Sequence, residues 1–130
     1  MISYGVYRLI HFFGIFLLIT SLGGAVMRGM LRGAALNGSA EMDGLARATR
    51  RIVAASHGVA MLLILVGGFG MLARLDIGFP GWVIGKLAVW MALGAMLGLA
   101  NKLVGRARVL WFAVPVLAFV AAWLAYTKPF

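Results

Sequence analysis

The chain has 130 residues, of which 64% are hydrophobic and only 12% charged, so it cannot cover a soluble domain of this size with polar surface. Its net charge of +9 comes from basic residues in short clusters between apolar runs, which points to membrane topology and headgroups rather than to nucleic acid. With no cysteine, disulfides, thiolate metal sites and a covalently attached c-type haem are excluded.

The first apolar run, over 9–27, follows Tyr7 and Arg8 in the stretch "YRLIHFFGIFLLITSLGG". A cleaved signal peptide is one reading of it. The absence of a clear small-residue cleavage site, and the three further runs behind it, favour a retained span. Those runs cover 52–73, 77–100 and 109–127. Each is long enough to cross a bilayer core as a helix, which takes roughly 17–25 residues. With a few residues added at the ends, the predicted spans are about 5–28, 50–74, 79–102 and 107–127 in one domain, 1–130.

The connection over 29–49 is the only sizeable polar segment. Turn chemistry falls at Asn37-Gly38, and a helix start is expected at Ser39, with Glu41 and Asp43 in its first turn. That helix can run straight into the second span. The short "DIGFPGW" link makes spans two and three antiparallel neighbours, with Pro80 suited to a helix start and Trp82 to the interface. Glycine pairs at Gly81/Gly85 and Gly94/Gly98 read as close-packing positions.

Charge sets the orientation. Arg28, Arg32, Arg47, Arg50, Arg51, Lys102, Arg106 and Arg108 flank the first and third connections, whereas Arg8, Arg74, Lys86 and Lys128 belong to the opposite side. This bias places the first and third connections in the cytoplasm and both termini outside, the periplasmic side in a Gram-negative cell. The expected fold is an all-α integral membrane four-helix bundle.

Ionisable groups inside such spans are costly, about 2.5–3.5 kcal/mol for a charge at mid-helix on insertion scales. Three stand out: His11, His57 and Lys86. His11 and Lys86 enter from the outer side to similar depths, while His57 begins the second span from the cytoplasm. A depth difference of something like 10–15 Å then argues against one iron between the two histidines of a monomer. Tyr4, Tyr7, Arg8 and His11 share a broad face of the first helix, and Trp82, Lys86 and Trp90 one stripe of the third. Flat aromatic walls beside cations suit a planar, acidic ligand such as a porphyrin. The plain readings stand beside this one: aromatic belts, a snorkelling lysine, and headgroup contact for Arg8 and His57. There is no nucleophile elbow, phosphate loop or pair of carboxylates within a span, and two separated histidines are too few for a zinc site.

The order "YRLIHFFGI", "RRIVAASHGVAM", "PGWVIGKLAVW" and "VPVLAFVAAWLAYTKPF" resembles the HemJ-type membrane protoporphyrinogen IX oxidases, which are related to the copper-resistance D-like (CopD-like) and SirB-like small membrane proteins. His11 matches that family's first-helix histidine, and Lys86, in "GWVIGKL", its third-helix lysine; Pro115 and the "KPF" ending also recur. The chain departs from the pattern in "MRGMLRG" after the first helix, in "WFAVPV" before the last, and in His57, where threonine is usual.

The resemblance implies a haem b- or porphyrin-binding redox protein. As an enzyme it would be an oxidoreductase acting on a porphyrinogen. His11 and Lys86 would be catalytic, His11 the metal ligand, and Arg8, Tyr7, Trp82 and Trp90 would complete the cofactor site. The expected location is a bacterial inner (cytoplasmic) membrane, with lipid, a porphyrin or haem, and a second copy or larger membrane complex as partners. The alternative is a non-enzymatic membrane subunit or scaffold packed on other helices through its glycine-rich faces.

Overall fold

A computed structural model describes residues 2–34 and 40–130, with the side chains of 32–34, 40–43 and 104 excepted. It contains four helices: α1 (Tyr4–Ala34), α2 (Ala40–Leu75), α3 (Gly81–Lys102) and α4 (Ala107–Thr127). A single 3-10 turn, Val104–Arg106, precedes α4. All four are long and apolar enough to cross a membrane. Phe112 and Phe119, 69% and 71% exposed on α4, need an apolar solvent around the bundle.

The helices of the first two spans run further than the apolar runs alone required. α1 continues through "MRGMLRGA", and α2 begins ten residues before position 50. The added turns contain no proline, so nothing stops the backbone ladder. At about 1.5 Å per residue, the 36 residues of α2 exceed a bilayer core of about 30 Å, and Arg47, Arg50 and Arg51 lie in its N-terminal part. The expected turn at Asn37-Gly38 and helix start at Ser39 lie outside the described residues, as do the side chains of Glu41 and Asp43.

Local chemistry explains the helix ends. Pro80 precedes α3 in extended backbone and offers no side-chain cap. The carbonyl of Phe130 does that work instead, accepting the Trp82 N–H at 3.0 Å. Asp76 and Lys128, which follow α2 and α4, adopt the left-handed conformation that commonly ends a helix, with φ of 50° and 45°. Within α4, Pro115 removes the N–H that would pair with the Trp111 carbonyl.

Packing is uneven along the bundle. α1 touches all three other helices, most extensively α2, whereas α2 and α4 occupy opposite corners. The dense core lies toward the first and third connections: Leu18, Leu22 and Val26 of α1 meet Val53, Met96 and Leu110 of the other helices. Lipid is as apolar as these side chains, so close van der Waals contact and interhelical hydrogen bonds hold the bundle together. Among the described glycines, Gly67 gives the closest approach of a neighbouring backbone. A Cβ built there would lie 2.7 Å from the His11 backbone nitrogen, and one at Gly14 would lie 2.9 Å from that of Ile64. Toward the end that carries the termini and the α2–α3 link, the helices part and leave an open-sided cavity between them.

Candidate functional site

The cavity has a volume of about 790 Å³ and is lined by all four helices. That lies within the range of about 300–1,000 Å³ usual for small-molecule sites. Its mouth is cationic: Arg8 of α1, Lys86 of α3 and Lys128 beyond α4 all line it, and none of its lining residues is acidic. Its floor is the top of the dense core, formed by residues such as Leu22, Leu93 and Val114.

His11 owes its pose to the close α1–α2 contact. Gly67 and Gly68 leave room on α2 for the imidazole, and its Nδ1 lies 2.8 Å from the Ile64 carbonyl. A carbonyl can only accept, so Nδ1 carries the proton and donates it. In the neutral ring, Nε2 then keeps its lone pair. His11 is half-buried, lines the cavity, and has Lys86 close enough to act on it electrostatically.

Lys86 is also half-buried, with its Nζ 5.7 Å from the centre of the Trp82 ring. The Nζ of Lys128 lies 5.7 Å from the same ring, so one indole serves two ammonium groups. Trp90, the other aromatic of that stripe, lines the cavity while its indole N–H donates to the Met61 carbonyl at 3.2 Å. That bond fixes the ring plane against α2. Arg8 is exposed at the mouth, with its guanidinium 5.6 Å from the Phe12 ring centre.

Of the residues singled out from sequence, His11, Lys86, Tyr4, Arg8, Trp82 and Trp90 therefore share one cavity. Tyr7 does not line it; its ring packs on Gly70 of α2. Lys128 and Tyr126 join the lining without having been singled out. The signal for Lys128 was available in the "KPF" ending, but its place over Trp82 depends on the left-handed turn after α4.

His57 behaves differently from the headgroup contact expected of it. It is 5% exposed and lies outside the cavity, with its Nε2 3.3 Å from the Gly94 carbonyl of α3. Its Nδ1 is buried with no partner among the described residues. Since His11 pairs with Ile64, seven residues further along α2, the two histidines differ in depth by about 10 Å. Together the His57–Gly94 and Trp90–Met61 bonds form a reciprocal seam: each helix donates a side-chain N–H to a carbonyl of the other.

Among the described residues, no group of three or more His, Cys, Asp and Glu comes together to hold a metal ion. A single imidazole with cationic neighbours instead suits a ligand that brings its own metal or has none, and that carries negative charge. Comparison with known proteins returns no match: no family model fits the chain, and neither curated proteins nor solved structures match it.

Proposed function

We propose that the protein is a multi-pass membrane protein that binds a porphyrin or haem b in this cavity and acts in its redox chemistry. The observation that carries the reading is the convergence of His11, with a free Nε2, and Lys86 on one apolar cavity walled by Trp82 and Trp90. The residues fit the group. His11 would hold the metal, Trp82 and Trp90 would offer aromatic surface, and the cations would receive the carboxylates. Haem b, when bound, supplies one-electron chemistry at its iron.

The chain's own residues have distinct parts. The Ile64 carbonyl holds the Nδ1 proton of His11, so only Nε2 is presented, either to a metal or to a proton leaving a porphyrinogen. Lys86 and Arg8, both in the lining, would pair with the carboxylates of such a ligand. The packing of Tyr7 on Gly70 steadies the helix pair that carries His11.

We place the protein in a bacterial cytoplasmic membrane with both termini outside. The four basic residues of the terminal end then face outward, and the eight around the first and third connections face the cytoplasm. The alternative, a scaffold that engages other helices through its glycine faces, draws less support. A Cβ at Gly81, Gly85 or Gly94 would meet Phe130, Leu124 or Met61, so these three positions serve packing within the bundle, whereas Gly98, with nothing within 4 Å, does not. The test is a reduced-minus-oxidised absorption spectrum of the detergent-purified protein, followed by pyridine haemochrome analysis. A b-type spectrum supports the reading. A colourless protein that takes up neither haem nor protoporphyrin overturns it.

A further inference from the structure

A macrocycle held at the level of His11 and Lys86 leaves the deeper part of the cavity unexplained. From His11 to Leu22 on α1 is eleven residues, about 16 Å along the axis, and from Lys86 to Leu93 on α3 is seven, about 10 Å. Below the polar pair, the lining is apolar down to Val114. On the α4 side, Ala118, Ala121, Ala122 and Ala125 line it at helical spacing, and their short side chains keep the limb open. The result is a site with two unlike ends. The mouth gathers Arg8, Lys86 and Lys128 with no acid among the lining residues, and two of those cations share one indole.

We infer that the cavity also takes a single-tailed anionic amphiphile of the fatty-acid class, its carboxylate at the cationic mouth and its tail in the limb between α1, α3 and α4. Charge complementarity selects the head. Three cations with no acidic residue in the lining, one of them the half-buried Lys86, favour an anion over a zwitterion or an alcohol. The lining selects the tail, because below the polar pair it is apolar down to Leu22, Leu93 and Val114 of the dense core. The inference rests on the mouth and the limb alone and does not require the porphyrin reading.

The test uses the full chain in a non-ionic detergent and native mass spectrometry with stearate, stearyl alcohol and phosphatidylglycerol as separate probes. Ala118→Phe fills the limb, and the paired Arg8→Gln, Lys128→Gln variant weakens the mouth. The expected result is one tightly held stearate, with affinity lower by about tenfold or more in either variant, and weaker retention of the alcohol and of the two-chain lipid. Ala118→Leu, a smaller change, should give a smaller loss in the same direction and keeps the test valid if Ala118→Phe does not fold. Stearate binding that ignores the filled limb, equal retention of stearyl alcohol, or preference for phosphatidylglycerol each overturns the inference. A haem titration of the limb-filled protein separates the two ideas. Haem uptake with limb-insensitive stearate defeats only the amphiphile, and stearate uptake by a protein that takes no haem defeats only the porphyrin.

Discussion

His11 Nδ1 and the Ile64 carbonyl lie 2.8 Å apart across the close α1–α2 contact. The bond orients the imidazole and determines which nitrogen remains for chemistry. It exists because Gly67 lets the α1 backbone come within reach of α2.

Gly67→Ala should therefore be disruptive out of proportion to one methyl group. The new Cβ would sit 2.7 Å from the His11 backbone nitrogen, which no rotamer change relieves. We expect a loss of about 1–3 kcal/mol, the usual cost of overpacking, measured by denaturant titration in detergent with circular dichroism. Gly58→Ala, with nothing within 4 Å of the added Cβ, should be neutral or slightly stabilising. Equal behaviour of the two would contradict the close-contact account.

Lys86→Met should separate stability from binding. Lys86 lines an apolar cavity with no acidic residue in its lining, and its nearest aromatic contact is the Trp82 ring. Removing a desolvated, uncompensated charge should leave the fold as stable or more so, while weakening retention of an anionic ligand. Thermal melts and porphyrin retention on the same preparations check both halves. A strongly destabilised Lys86→Met protein would show that the lysine is structural.

His57→Leu should change little. The substitution gives up the 3.3 Å bond to Gly94 but also removes the buried Nδ1 that has no partner among the described residues. Interhelical hydrogen bonds in membranes average about 0.6 kcal/mol, so a net change within about 1 kcal/mol of either sign is expected. Because His57 lies outside the cavity, the absorption spectrum of bound porphyrin should not move. A lost or shifted spectrum would place His57 in the site.

Much of the architecture was legible in the residues, and so was the part of the site that depends on depth. Apolar run lengths gave the four spans, and helical rise put His11 level with Lys86 and about 10 Å from His57. What could not be read was rotation about the helix axes. Tyr7 and Arg8 are adjacent in sequence, yet Arg8 lines the cavity and Tyr7 packs on Gly70. Only the partner helix decides that, through the glycines at which it approaches. Lys128 was hidden for a related reason: its reach depends on the turn after Thr127 folding back over Trp82. For His57, snorkelling was the ordinary expectation for a cation near a helix end, and the Gly94 carbonyl on α3 provides an interhelical partner instead.

The measurement that tests the central claim most directly is an absorbance titration of the purified protein with haem, run on wild type, His11→Ala and Lys86→Met under one detergent. The account predicts saturable uptake of one haem with a ligated spectrum in wild type, an altered spectrum in His11→Ala, and weaker uptake with an unaltered spectrum in Lys86→Met. Indistinguishable titrations for wild type and His11→Ala would contradict it.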